Sequence, residues 1–308
     1  MIDDVYLKFP VEFVQFLNEN QVDPAVFMQN DLPRFVRVNP KNPADKAQFL
    51  QELQQLNPEV QCSVEDLGWI KDFWAVSGEA KIVNTPSYIQ GKIYGMDASS
   101  AIPVLSLKLK PDISVLDMCC APGAKLLYLN DLLDESSSIS GIDISQDRLK
   151  VTRSLLKKYN ARNEIQLICH DALTWDTDLQ FDRILVDAEC THEGSIKHMK
   201  KFTRQWGWET FKKRVMDTHV ELERLQRGLL NKGCDLLKPG GRIVYSTCSF
   251  CRCENEDIVD FVVNSRNDMT VKVVEGEFPC KRDRSFMKFD PLISRTGGQF
   301  VAVLKKAK

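Results

Sequence analysis

Val115-Leu116-Asp117-Met118-Cys119-Cys120-Ala121-Pro122-Gly123-Ala124-Lys125 sets a short apolar run, an acid and a turn of small residues in front of a helical stretch. Outward from it the same alternation repeats. Ile139–Asp143, Ile165–Ile168, Ile184–Asp187 and Arg242–Ser246 are short apolar runs separated by helical stretches. That pattern predicts an α/β fold, a Rossmann-like parallel sheet with helices on both faces. Such sheets bind ligands beyond the carboxyl ends of their strands. Asp117, Asp143, Asp171 and Asp187 fall at or just past strand ends, and Cys248 follows the last of these runs, so all are expected in one crevice. Gln299–Leu304 reads as a final strand.

Upstream the pattern differs. Residues 1–30 read as a helical segment, with Phe13, Val14, Phe16 and Leu17 at helical spacing and a break at Pro24. Residues 31–95 read as a small α+β domain: Phe35–Val38 alternates like a strand, and Asp45 precedes a helix with Phe49, Leu50, Leu53 and Leu56 on one face. Further strands are expected near Trp69–Val76 and Lys81–Val83. Residues 96–308, which hold the alternating apolar runs, read as the third unit.

The 308 residues carry a net charge of −2, so nucleic-acid binding would need a local patch rather than overall charge. Residues 196–214 supply a candidate: Lys197, Lys200, Lys201, Arg204, Lys212, Lys213 and Arg214, with Trp206 and Trp208 between them and only Glu209 opposed. Cations beside aromatics suit phosphate contact and base stacking, and equally a solvated helix face with tryptophans in the core. Arg34 and Arg37 would extend the patch. The acidic start Met1-Ile2-Asp3-Asp4 is unlike a secretory signal, and no apolar run is long enough to span a membrane. The ten cysteines are therefore expected as reduced thiols, in cytoplasm or nucleus.

The turn at 118–125 lacks the glycine spacing of a P-loop or a dinucleotide fingerprint. It reads either as an ordinary strand–turn–helix or as a backbone cradle, with Asp143 placed to grip ribose hydroxyls; S-adenosylmethionine fits that cradle better than NAD. Cys190 and Cys248 each follow a strand. They are either small core residues or a nucleophile and its partner. A thiolate at Cys248 would gain from a helix N-terminus if Ser249 onward starts a helix. Cys248, Cys251 and Cys253 form a Cys-x-x-Cys-x-Cys run, but neither Cys234 nor Cys280 completes a zinc spacing, so no metal is expected.

Several ordered blocks together carry a resemblance. Asp117–Lys125 is similar to the loop D-x-C-A-A-P-G-G-K, with Cys120 and Ala124 as departures. Ser246-Thr247-Cys248-Ser249 followed by Glu254-Asn255-Glu256 matches S-T-C-S…E-N-E. Leu32-Pro33-Arg34-Phe35-Val36-Arg37-Val38-Asn39, Gly95-Met96-Asp97-Ala98-Ser99-Ser100, Pro239-Gly240-Gly241 and Gly297-Gly298-Gln299-Phe300 also fit. The chain resembles the Sun/Nop family of RNA cytosine-5 methyltransferases over about residues 32–304. The resemblance implies a class I methyltransferase fold, S-adenosylmethionine as cofactor, and a tRNA or rRNA substrate handled by a monomer without metal. It implies that Cys119, Cys120, Ala121, Pro122 and Gly123 hold the methionine part, Asp143 the ribose with Arg148 bracing it, and Asp171 the adenine amino group. Lys125 and Asp187 would border the cofactor and orient the cytosine. Cys248 would attack carbon 6, and Cys190 would assist release.

One departure bears on these roles. The family's D-A-P-C and glycine-containing turn is here Asp187-Ala188-Glu189-Cys190-Thr191-His192-Glu193-Gly194. Loss of proline loosens a turn, and Glu189 adds a charge unfavourable to a nearby thiolate. Two alternatives therefore stay open: an RNA-binding relative without turnover, and an amino-group methyltransferase. The second lacks its usual two prolines and aromatic here.

Overall fold

The computed structural model describes residues 9–161 and 164–308; the start of the expected helical segment, residues 1–8, lies outside them. The chain opens with helix α1 (Val11–Glu19), which buries Phe13, Phe16 and Leu17. Strand β1 (Arg34–Val38), helix α2 (Lys46–Leu56) and strands β2 (Val64–Asp66) and β3 (Phe73–Val76) follow, then the short helix α3 (Pro86–Ile89) and β4 (Ile93–Gly95). The four strands form an antiparallel sheet in the order β2-β3-β1-β4. Asp45 caps α2, its Oδ1 accepting from Gln48 N at 2.8 Å. Phe49 of α2 stacks on Trp74 of β3, centroids 5.8 Å apart.

Two expectations fail in this unit. The run from Trp69 becomes strand only at Phe73, because Asp72 sits at φ 61, in the left-handed region. Lys81–Val83 is not a strand. Asn57 occupies the backbone there instead, its side chain accepting from Lys81 N at 2.7 Å and donating to Lys81 O at 3.2 Å.

Helix α4 (Ile102–Ser106) leads into β5 (Ser114–Asp117), α5 (Ala124–Leu132), β6 (Ser138–Asp143), α6 (Gln146–Lys158), β7 (Ile165–Cys169) and β8 (Phe181–Asp187). Helices α7 (Ile196–Met216) and α8 (His219–Leu236) precede the long β9 (Leu237–Thr247). Helix α9 (Glu256–Asn264), β10 (Met269–Lys272), β11 (Lys281–Asp283), β12 (Phe286–Phe289), α10 (Pro291–Ser294) and β13 (Gln299–Lys306) complete the chain. The five expected strands run parallel in the order β9-β8-β5-β6-β7. The sheet is mixed rather than purely parallel: β13 lies antiparallel to β9 and carries β10 and β12, with β11 beyond β12. Core side chains cover both faces, Leu126 and Leu149 among one set, Leu230 and Ile258 among the other.

Arg37 does not lie on an exposed, RNA-facing surface. Its guanidinium is buried against Tyr94 OH and Asp131 of α5, and lies 4.3 Å from the Tyr128 ring centroid. Both faces of β1 are covered, so an arginine at this position ties the small sheet to α5. Among the described residues, no helix is long and apolar enough to cross a membrane.

Candidate active site

The turn after β5 is held from behind. Cys120 N donates to Ile142 O at 2.9 Å, and Ala121 N donates to Asp143 Oδ2 at 3.2 Å. Arg148 Nη2 donates to Ala121 O at 2.6 Å, while its Nη1 lies 3.4 Å from Asp143 Oδ2. Gly123 starts α5 at φ 109, where a Cβ would meet Thr152 Cγ2 at 2.9 Å. Cys120 is core: its sulfur packs on Gly141, so only its backbone faces the turn. Burial pushes its thiol up, as it does the Cys119 thiol, which also lies beside Asp117. Asp143 is buried and also accepts from Ser145 N at 2.9 Å, so each carboxylate oxygen takes one backbone N–H, with Arg148 ion-paired beside it. Ile144 beside it is exposed, an apolar platform that the run Ile139–Asp143 had no reason to single out. Asp171 is half-buried and accepts from Leu173 N at 2.9 Å.

At the centre of the crevice Lys125 Nζ pairs with Asp187 Oδ2 at 2.7 Å, and Ser246 Oγ donates to Asp187 Oδ1 at 2.7 Å. Burial pulls the Lys125 ammonium down, but Asp187, with Cys248 and Asp117 adding, raises it on balance. Asp117, fully buried next to Asp187, has its carboxyl pushed up to about 7, chiefly by desolvation.

Cys190 and Cys248 meet, Sγ to Sγ 3.4 Å. His192 was not singled out from the sequence, yet its Nδ1 lies 3.0 Å from Cys248 Sγ and 3.5 Å from Cys190 Sγ. Its φ is 64, a conformation that favours glycine. The glycine of this turn is Gly194, two residues later, so no glycine pattern pointed to His192. The Cys190 thiol, and then His192, hold the Cys248 thiol well below its ordinary range. Burial pushes Cys190 up, so Cys190 remains the donor. The expected helix N-terminus does not contribute, because Ser249 onward first makes a 3-10 turn at Arg252–Glu254 and α9 starts only at Glu256. Glu189 is exposed and its carbonyl accepts from Gln226 Nε2 at 2.8 Å; the substitution for proline has not moved Cys190 out of the crevice.

A buried network fixes the two cysteine loops to each other. Glu254 accepts from Thr191 N at 3.1 Å, Thr191 Oγ1 at 2.6 Å and Gln226 Nε2 at 3.0 Å. Glu193 accepts from Phe250 N at 2.7 Å and Cys251 N at 3.1 Å, and Ser249 Oγ lies 2.5 Å from it. Thr191 Oγ1 touches both carboxylates, yet a hydroxyl has one proton to give. Burial, then Glu254, raises Glu193 to about 7, and its proton relieves that shortage. Gly194 N donates to Cys248 O at 2.9 Å, and a Cβ on Gly194 would meet that oxygen at 2.5 Å.

Cys248 opens on a cleft of about 130 Å3 lined by Pro33, Asp97, Ser195, Lys197, Arg295 and Gly297. The expected basic patch is divided. Lys197 donates to Pro33 O at 2.9 Å, and Lys200 donates to Gln29 O and to Asn30 Oδ1, so both tie α7 to the chain before β1. Lys201, Arg204 and Lys213 are exposed, as is Trp206, whereas Trp208 packs on Phe9, Phe13 and Phe211. Gly207, at φ 76 and ψ 171, kinks α7 between the two tryptophans. Arg34 is exposed, with Nε donating to Gly78 O at 2.9 Å. The Arg214 side chain lies outside the described residues. Cys251 and Cys253 pair with each other, Sγ to Sγ 2.6 Å, while Cys234 and Cys280 belong to other clusters.

Residues 104–305 match the family model described as 16S rRNA methyltransferase RsmB/F. A ribosomal RNA small subunit methyltransferase F of Shewanella loihica is 30% identical over 79% of this chain and 51% of its own length. A tRNA (cytosine(49)-C(5))-methyltransferase of Pyrococcus abyssi is 30% identical over 78% of this chain and 74% of its own. The crystal structure of a methyltransferase homolog from Pyrococcus horikoshii superposes with a TM-score of 0.76 at 27% identity, over 99% of this chain and 98% of that one. The chain spans about half the length of the ribosomal RNA methyltransferases it matches. With a Rossmann-like sheet, two cysteines meeting beyond its strand ends and a family match over most of its length, the chain belongs to the RsmB/F family of methyltransferases, the Sun family of the sequence resemblance.

Proposed function

We propose that this chain methylates carbon 5 of a cytosine in RNA, with S-adenosylmethionine as methyl donor and Cys248 as covalent nucleophile. The observation that carries the reading is the 3.4 Å approach of Cys190 to Cys248 beside the Lys125–Asp187 pair. The relatives' names span a ribosomal and a transfer RNA, and a cytosine in RNA is the substrate class proposed.

The residues fit the cofactor. Backbone groups of Cys119–Gly123 would line its methionine part, the Asp143 carboxylate a ribose hydroxyl, Ile144 the adenine face and Asp171 the adenine amino group. Arg148 braces Asp143 and the turn. S-adenosylmethionine supplies an electrophilic methyl group. The chain supplies the rest. Cys190 and His192 stabilise the Cys248 thiolate by hydrogen bonding. That thiolate forms a bond to carbon 6, which makes carbon 5 enamine-like and able to take the methyl group. Lys125 and Asp187 orient the ring. The carbon 5 proton then passes to a base in the crevice or to water, and the S–C6 bond breaks with its electron pair returning to Cys248 as thiolate, Cys190 assisting. Residues 96–308 carry this chemistry, and residues 31–95 add Arg34 to the RNA-facing side.

Covalent capture of an azacytosine RNA tests the assignment. Cys248→Ser abolishes methylation and capture. Cys190→Ala loses turnover but accumulates an adduct that survives a denaturing gel. Adduct from Cys248→Ser and none from Cys190→Ala would move the nucleophile to Cys190.

A further inference from the structure

His192 occupies a backbone conformation that favours glycine, and from there its Nδ1 faces both active-site sulfurs. Residues held in such sparsely populated conformations cluster at functional sites. Cys190 Sγ, His192 Nδ1 and Cys248 Sγ lie within 4.8 Å of one another. Their separations are 3.4 Å between the sulfurs and 3.0 and 3.5 Å from nitrogen to each sulfur. A tetrahedral zinc ion, with Zn–S near 2.3 Å and Zn–N near 2.05 Å, sets S···S at about 3.8 Å and S···N at about 3.6 Å. The three donors reach that geometry by separating by no more than roughly 0.6 Å.

We propose that Cys190, His192 and Cys248 form a binding site for a soft divalent cation, zinc, which blocks the nucleophile when it binds. Two thiolates and an imidazole suit zinc, and magnesium or calcium would not compete for them. The sulfurs are held by a rigid frame: Glu193 and Glu254 join the two loops, and Gly194 fastens the second to the first. Preorganised donors favour a metal over unordered thiols. Lys125 stands nearby, but its charge is matched by Asp187 at 2.7 Å, so the cation meets no unbalanced positive group. Cys248 lines the cleft, through which a cation and a water ligand would reach the three donors. Binding releases the Cys190 thiol proton, moves any proton off His192 Nδ1, and occupies the Cys248 sulfur lone pair that carbon 6 requires. Inhibition rests on the reading of Cys248 as nucleophile; metal binding does not.

The test uses the full chain, stripped with a chelator. Zinc is titrated against a chromophoric chelator, and cobalt is titrated for its thiolate-to-metal absorption. One zinc per chain is expected, and zinc should shield Cys248 from alkylation, read by mass spectrometry. Cys190→Ser, His192→Asn and Cys248→Ser should each weaken binding by at least about tenfold, since even partners outside the ligand shell cost that much. The Cys251→Ser/Cys253→Ser variant should bind as the wild type does. Absence of stoichiometric zinc, unchanged affinity in His192→Asn, or loss of binding in the Cys251/Cys253 variant would overturn the proposal. Should a ligand variant fail to fold, unshielded alkylation of wild-type Cys248 overturns it alone. Zinc should also slow capture of azacytosine RNA, reversibly by chelator; capture that is as fast with zinc bound would overturn the inhibitory role. Failure of zinc-free protein to capture RNA would strike the catalytic reading and leave the metal site standing.

Discussion

At the scale of single residues, burial decides which acids are ready-made charges. Asp117 is 1% exposed and its carboxyl is raised to about 7 from 3.8, by desolvation first and then by Asp187. A carboxyl raised by folding binds its proton more tightly in the native state. Stability is therefore highest below pH 3.8 as far as this group goes, and falls as pH rises through 3.8 to 7. Asparagine cannot ionise and keeps an acceptor for Cys119 N, 3.3 Å away. Asp117→Asn should be more stable than wild type above pH 7, by as much as about 4 kcal/mol, with the difference shrinking as pH falls. Urea unfolding at a series of pH values checks this; a constant difference across pH would refute it. Asp117 also shows what sequence reveals and hides. Its place at a strand end followed from one apolar run. Its protonation depends on Asp187 and on burial by residues far along the chain. His192 was hidden for the same reason: its role comes from where two loops meet, not from its neighbours in sequence.

At the scale of elements, strands were more legible than the partners of helices. The five apolar runs each became a parallel strand, because buried strands need apolar residues on both faces. The edge strands β2 and β4 were missed; each has three residues, too few for a period. Helix α7 shows the limit more clearly. Its cations have one sequence signature but two fates, since Lys197 and Lys200 turn back to Pro33, Gln29 and Asn30 while Lys201, Arg204 and Lys213 face solvent. Replacing Lys201, Arg204 and Lys213 by alanine should weaken RNA binding across sequences. If each meets one phosphate of a single strand, the slope of log affinity against log salt should flatten by roughly 2. Replacing Lys200 alone should leave the slope unchanged and instead loosen the chain before β1, read as a lower melting temperature. An unaltered slope in the triple variant would make the patch a solvated face.

At the scale of the whole molecule, the parallel sheet gathers Asp117, Asp143, Asp187, Cys190 and Cys248 at one end, and that gathering was readable from the order of the runs. How the small sheet is fastened to it was not. Arg37 stood in a basic-looking stretch, and only the second covered face of β1 reveals it as an internal tie. Its side chain is 3% exposed and that of its partner Asp131 is 2% exposed. A buried pair of this kind stabilises little over an apolar substitute, but breaking one half leaves a charge without a partner. Arg37→Met keeps a side chain on Tyr128 and strands Asp131; it should destabilise the chain by about 3–5 kcal/mol. Adding Asp131→Asn removes the stranded charge and should recover more than half of that loss. Urea unfolding of the two variants measures both steps. RNA affinity separates the roles: if Arg37 reached phosphate, the single and double variants would bind equally poorly. As an internal tie, it predicts that affinity returns with stability in the double variant. Equal destabilisation in both variants would mean that Arg37 acts through its packing on Tyr94 and Tyr128 alone.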